Sequence, residues 1–292
     1  MGVVLNNATI RELHRDTFMA REVSGERNRG NVRRSSVPDT PERGSSRAPA
    51  VSRAASVLRC LAGEQLGLGV SEIARRVGVV PSTCLHVLRA LVEEGFVGFD
   101  AEKKTYRTGV GLLALVRDSM ANSQYPRIVQ PVLDRLAAEN HVNALATEFD
   151  GRERMVVVAF SRASSTVSLY VSVGSRFPEF VSATGRCMAA VSGLSKDKLK
   201  KRFETLKWER EPRFEEWYAD VERAQTEGVA IDRGNYIRGL TILAGLIPPP
   251  QTQRVTRAIA LIGFDHQMTE RTIRTLTDQL RESVRIVGAQ MN

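Results

Sequence analysis

The pattern that most constrains this chain lies between Val70 and Gly109, where two short helical periods, a tight turn and an alternating hairpin follow one another. Ser71 stands where an N-cap belongs, and Ile73, Ala74 and Val77 recur at helical spacing, which predicts a short amphipathic helix over Ser71 to Val77. Gly78 ends it. Pro81 suits the entry of a second helix, because the N–H it lacks is not needed there. Ser82 and Thr83 add hydroxyls for the free amides. Leu85, Leu88, Leu91 and Val92 supply that helix's buried stripe, and Gly95 closes it as a C-cap. Phe96 to Phe99, the charged turn Asp100 to Lys104, and Thr105 to Thr108 then alternate like a two-stranded hairpin. Helix, turn, helix and hairpin in that order make a winged helix-turn-helix.

The second helix carries the chemistry. Its apolar stripe leaves Ser82, Thr83, His86 and Arg89 facing outward near its first half, the part that enters a DNA major groove. Hydroxyls and the imidazole meet base edges or phosphates, and Arg89 pairs with guanine or phosphate. The helix N-terminus attracts a phosphate oxygen. Lys103, Lys104 and Arg107 on the hairpin reach the flanking backbone of double-stranded DNA. Any one of these residues alone is equally at home on a solvated polar face. Their ordered combination is far more specific.

The segment from Val51 to Gly109 resembles the DNA-binding domain of the IclR family of bacterial transcriptional regulators. The matching residues are Ser52, Arg53, Ala54, Val57 and Leu58 in a leading helix, Ser71 to Ala74 before the turn, and Pro81, Ser82 and Thr83 opening the second helix. Leu88 and Leu91 follow within it, then Glu94 to Val97 and Tyr106 to Gly109. The leading helix is expected over Val51 to Leu61, with Ser52 and Arg53 as candidate phosphate contacts at its start. Family members often carry Arg where this chain has His86, so base preference does not transfer.

The chain is 292 residues long, enough for more than one domain, and 42% hydrophobic residues fill ordinary cores. With 42 Lys+Arg against 33 Asp+Glu its net charge is +9, which suits a polyanionic partner. No apolar run is long enough to span a membrane, and the N-terminus lacks the apolar core of a secretory signal, so a cytoplasmic location without a membrane partner is expected. Cys60, Cys84 and Cys187 lie far apart, giving neither a disulfide framework nor a zinc spacing. No metal or cofactor is expected. Residues 1–49 are rich in Arg, Ser, Asn, Gly and Pro and read as a disordered basic tail. Arg27, Arg29, Arg33, Arg34, Arg43 and Arg47 would let it lie along DNA, unless it is a spectator or translation starts at Met19.

After the wing domain of residues 50–109, Val110 to Ala121 continues as a helix too apolar to stand in water alone. Residues 110–124 are therefore expected to link the domains and to pack against a second copy, giving a homodimer or homotetramer with paired recognition helices. Docking onto its own chain is the alternative. Residues 125–292 read as an α+β domain. A helix around Ile128 to Ala137, strands over Asn143 to Phe149, Arg154 to Phe160 and Thr166 to Val173, and helices over Lys196 to Leu206 and Phe214 to Glu227 are expected. Late strands at Thr241 to Ile247 and Ala258 to Gly263 precede a closing helix, Thr269 to Ala289.

This half resembles the IclR effector-binding domain, whose antiparallel sheet with flanking helices is similar to GAF domains. Its anchors are Ser182 to Arg186 within Gly174 to Ala190, and Glu227 to Asp232. The resemblance implies a small-molecule effector on one sheet face, against Ser182 to Cys187 and near Asp232. Ser182, Thr184 and the amides around Gly185 would hold a carboxylate at a helix N-terminus, unless Gly185 is only a tight turn and Thr184 only a cap. Where relatives tend to have an acidic residue after Asp232 this chain has Asn235, and Ala260 and Ile262 replace a serine pair. Thr241 is the remaining hydroxyl. The expected effector is accordingly more apolar, such as an aromatic acid.

Three function classes follow from these readings. The leading one is a ligand-responsive transcriptional regulator, a repressor or activator of a catabolic operon, and not an enzyme. The others are an architectural DNA binder indifferent to metabolites, and an enzyme with Cys187 as nucleophile. The last requires a base beside the thiol, with only His141 and His266 in that half, and Cys187 sits in an apolar helix where inert thiols are common.

Overall fold

A computed structural model describes residues 48–64, 66–162, 171–249 and 256–291. The arginines expected to form a basic arm, and most of the strand expected over Thr166 to Val173, lie outside these residues. The chain divides between Asn122 and Ser123 into two compact units.

In the first unit α1 (Pro49–Ala62), α2 (Val70–Val77) and α3 (Pro81–Glu93) precede the hairpin of β1 (Val97–Asp100) and β2 (Thr105–Thr108), and α4 (Gly111–Asn122) follows. The strands pair antiparallel with Phe99 opposite Tyr106, and Leu68 bridges to Tyr106. The apolar stripes converge as their spacing requires. Val57 and Leu61 of α1, Ile73 of α2, and Cys84, Leu88 and Leu91 of α3 pack with Val97 and Tyr106 into one core. Trimming Leu88 to alanine there would cost roughly 2–5 kcal/mol.

Two cap expectations shift by one or two residues. The N-cap of α2 is Gly69, which puts Ser71 inside the first turn, and no side chain caps the helix. Helix α3 ends at Glu93 with Glu94 as its C-cap, and Gly95 follows in the left-handed region at φ 72. Gly95 is also where the end of the wing crosses. A Cβ on Gly109 would stand 2.3 Å from the Gly95 carbonyl oxygen, so only glycine permits the approach.

The second unit is a six-stranded antiparallel sheet in the order β5-β4-β3-β8-β7-β6. Its strands are β3 (Asn143–Phe149), β4 (Arg154–Ser161), β5 (Arg176–Pro178), β6 (Val229–Arg233), β7 (Leu240–Leu246) and β8 (Arg257–Phe264). Helices α5 (Gln124–Asn140) and α9 (Glu270–Met291) cover one face. There Val129, Leu133, Leu136, Leu276 and Leu280 pack on Ala144, Leu243, Ile259 and Leu261, so alternate residues of β3, β7 and β8 point to these helices. Helix α6 (Ser182–Val191) lies on the other face, with Ala183 and Cys187 against Leu145, Ala230, Ile242, Ala244, Ala260 and Ile262. Helices α7 (Lys196–Phe203) and α8 (Phe214–Glu227) add Phe203, Phe214 and Trp217 to an aromatic cluster with Met155 and Phe180. This is the expected α+β class, a helix-turn-helix followed by an antiparallel sheet domain.

Candidate nucleic-acid interface and effector site

Pro81 occupies the first position of α3, after Val80 in an extended conformation, so the chain enters the helix abruptly. With Cys84, Leu88 and Leu91 turned into the core, Ser82, His86 and Arg89 are exposed along one side of the helix and Thr83 is half-buried. Ser52 and Arg53 are exposed in the first turn of α1. At the wing tip the Asp100 carboxylate accepts the amides of Glu102 and Lys103 at 3.1 and 3.0 Å, which closes the turn with Lys104 at φ 52. Lys103, Lys104 and Arg107 all stand in solvent. Phe99 stacks on Tyr106 across the hairpin at 4.7 Å and stiffens the wing. Apart from half-buried Thr83, the fold thus brings the expected DNA-facing residues to the surface of one unit.

Helix α2 behaves differently, because its arginines are held by carboxylates. Glu72 accepts from Arg75 at 2.7 Å and from Arg76 at 2.6 Å, and Arg76 also reaches Glu64 at 2.5 Å. The hydrogen bonds from Arg75 and Arg76 pull the Glu72 carboxyl down to about 2. This network ties α2 to the end of α1, and sequence periodicity alone gave no sign of it.

In the second unit the residues expected around an effector fall into three groups. Ala260 and Ile262 lie on the α6 side of the sheet. Ser182 is the first residue of α6 and is buried with φ at 62, a conformation a serine adopts only when its surroundings impose it. Thr184 is buried beside it. Gly185 is required by packing, since a Cβ there would lie 2.1 Å from the Phe180 carbonyl carbon. Its amide already donates to the Val181 carbonyl at 2.8 Å, so that N–H does not serve a carboxylate as expected.

Asp232 and Asn235 form the second group. Both belong to a closed network around Arg186, which is 1% exposed. The guanidinium donates to Asp220 at 3.1 Å, to the Ser182 carbonyl at 3.1 Å and to Asn235 Oδ1 at 2.9 Å, and pairs with Asp232 at 3.4 Å. Asp232 also accepts the amides of Asn235 and Tyr236 at 2.8 and 3.3 Å. Burial raises the Asp232 carboxyl above its ordinary range, while Arg186 and those amides pull it back. Both carboxylate oxygens are thereby engaged, and the group pins α6 to α8 and to the β6–β7 turn. Sequence reasoning missed Arg186 as the centre. The available signal was a lone charge in the otherwise small and apolar Ala183 to Val191 run, which must be paired when buried.

Thr241 is the third case, and a correction. It pairs with Gly263 and shares the face of Leu243, which packs under α5 and α9, so its side chain points away from Ala260 and Ile262. Its hydroxyl lies 2.6 Å from Asp265. The even-odd alternation of a strand decides this. Cys187 is buried and its thiol donates to the Ala244 carbonyl at 3.2 Å. Burial pushes that thiol up to about 12, so it is protonated and a poor nucleophile. Among the described residues no helix is long and apolar enough to cross a membrane, and no cluster of metal-ligating side chains occurs.

Residues 50–101 match the IclR helix-turn-helix domain, and residues 120–289 match the bacterial transcriptional regulator IclR C-terminal domain. The chain belongs to the IclR family. Among curated relatives it is 43% identical over 65 residues to the glycerol operon regulatory protein of Streptomyces coelicolor, a match covering 22% of this chain and 26% of that protein. The chain thus spans about a quarter of that relative's length. The crystal structure of an IclR transcriptional regulator from Alicyclobacillus acidocaldarius superposes with a TM-score of 0.74 at 24% identity, covering 85% of this chain and all of that one. An IclR homolog from Microbacterium hydrocarbonoxydans, crystallised with 4-hydroxybenzoate, gives a TM-score of 0.67 at 18% identity, over 83% of this chain and 98% of the other. At such identities these two IclR structures establish the shared fold.

Proposed function

We propose that this chain is an effector-responsive, DNA-binding regulator that acts in the cytoplasm on a catabolic operon. The observation that carries the reading is the outward row Ser82, His86 and Arg89 on α3, flanked by Lys103, Lys104 and Arg107 on the wing. This is the arrangement that places base-reading side chains in a major groove and cations over its phosphates. Ser52 and Arg53 add a backbone contact at the start of α1.

The effector site is assigned to the sheet face of Ala260 and Ile262, beside the first turn of α6 at Ser182 and Thr184. Asp232 and Asn235 act through Arg186 rather than on the ligand. The face is apolar, with half-buried Phe160, Phe177 and Phe264 packed around it, which favours an aromatic acid over a small oxoacid. The IclR homolog crystallised with 4-hydroxybenzoate supports the same ligand class.

Helix α4 supplies the assembly. Leu113 and Val116, neighbours on one face, are 70% and 53% exposed, a face that calls for a second copy and gives a homodimer or homotetramer. Effector binding then favours one arrangement of subunits and changes operator affinity by that difference.

The test is binding of the purified chain to its own promoter region and to unrelated duplex of equal length, each with and without aromatic acids. Promoter preference that shifts with an acid is the expected result. Equal affinity for both duplexes, unmoved by any acid, would instead support the architectural reading.

A further inference from the structure

Among the described residues four buried side-chain atoms lack a hydrogen-bond partner, Thr147 Oγ1, Ser283 Oγ and the Nε1 atoms of Trp208 and Trp217, and of these Thr147 alone lies on a strand of the sheet. Thr147 of β3 is 0% exposed, and its Oγ1 makes no hydrogen bond. Buried hydroxyls are nearly always satisfied, so an orphan on a binding face asks for an explanation.

Register and geometry place it. The β3–β4 ladder shifts between Ala146 and Thr147, where Val158 of β4 has no opposite residue. Such a bulge re-aims the side chains beside it. Ala146 lies opposite Ala159 and Ile259, all packed under α5 and α9, whereas Thr147 lies opposite Val157 and Ala258 and so faces the α6 side. The adjoining row on that face is Ala244, Ala260, Leu145 and Phe160, paired in turn across β7, β8, β3 and β4. Thr147 is therefore the diagonal neighbour of Ala260, at a distance long side chains or a small ligand bridge readily. Its other neighbours on the face, Val157, Ala258 and Leu145, offer no hydrogen bond from a side chain.

We propose that Thr147 is the hydrogen-bonding residue in the floor of the effector site, and that its Oγ1 is satisfied by an oxygen of the bound effector. The chemical class follows. The ligand is a compact aromatic or branched acid with one further hydroxyl or carbonyl oxygen, which reaches Thr147 while the hydrocarbon body covers Ala260 and Leu145. This rests on the effector reading above. It adds the residue that discriminates hydroxylated from unsubstituted acids, because a site built to bond an oxygen discriminates against the analogue lacking it.

The variants Thr147→Val and Thr147→Ser are compared with wild type by thermal unfolding and by direct titration with benzoate, 4-hydroxybenzoate and pyruvate. Removing an unpartnered hydroxyl should leave the Thr147→Val melting temperature equal or higher. Its affinity for the hydroxylated acid should fall roughly fivefold to tenfold. Thr147→Ser should keep wild-type affinity, and benzoate binding should change little. Equal affinity of Thr147→Val and wild type for 4-hydroxybenzoate would overturn the Thr147 assignment and leave the effector site standing. A clear drop in melting temperature for Thr147→Val would also overturn it, by showing that the hydroxyl has a partner in the fold. If wild type binds none of the three acids, the effector reading falls and this assignment with it.

Discussion

In the helix-turn-helix unit most polar side chains of α3 and the wing stand in solvent, while in the sheet unit Arg186 of α6 is closed in with Asp232 of β6, Asp220 and Asn235. The first arrangement leaves donors for a large external partner and asks little of the fold. The second consumes them internally and makes the fold depend on them. Polar residues at an expected site thus carry opposite meanings in the two halves. In the first, substitution should alter binding and spare stability. In the second it should alter stability before it alters binding.

The largest effect is expected for Asp232→Ala. Removing one member of a buried ion pair leaves Arg186 short of a counter-charge and should destabilise the sheet unit by roughly 3–5 kcal/mol. Denaturant unfolding followed by intrinsic fluorescence would read this, since Trp208 and Trp217 both lie in that unit. A variant as stable as wild type would return Asp232 to the role of a ligand contact.

Next comes Arg89→Ala, the counterpart in the other unit. Loss of a base or phosphate contact should weaken promoter binding by about 1–3 kcal/mol, with the melting temperature unchanged. An unaltered promoter affinity would remove Arg89 from the interface. Lys103→Ala should act more evenly, lowering affinity for all duplexes and reducing the slope of log affinity against log salt by about one. A slope identical to wild type would place the wing tip away from phosphate.

The smallest effect concerns pH. The folded Glu72 carboxyl lies at about 2, below its ordinary 4.5, because Arg75 and Arg76 hold the charged form. A lowered carboxyl stabilises the fold fully above its ordinary value, and this contribution is lost as pH falls from about 4.5 through about 2. Acid titration of Glu72→Gln should therefore lose part of that limb. The carboxylate is partly exposed and screened by solvent, so the difference should be slight. Identical acid curves would show that the network holds nothing together.

The two halves also differ in how far the sequence could be read. In the first unit each function lies on local pattern: Pro81 opens α3, Leu88 and Leu91 fix which side is buried, and Ser82, His86 and Arg89 are outward by subtraction. Only cap positions slipped, with Gly69 in place of Ser71 and Glu94 one residue ahead of Gly95. In the second unit the elements were legible and the site was less so. The sequence puts Thr241 on the effector face, yet strand alternation turns it to the opposite face, where it meets Asp265 just after β8. Thr147 was not singled out, because a threonine in an apolar strand looks ordinary until a bulge and its missing partner are seen.

By itself, then, the sequence determined the order of elements, the buried stripe of α3 and the cationic face that remains, because helix period and capping act over a few neighbouring residues. Only the tertiary structure decided that Arg186 gathers Asp220, Asp232 and Asn235, and that Gly185 must admit Phe180. It alone decided that Thr147 shares a face with Ala260. These depend on which strands lie side by side and in what register, and residues so far apart in the chain are brought together by packing of the whole unit rather than by any local preference.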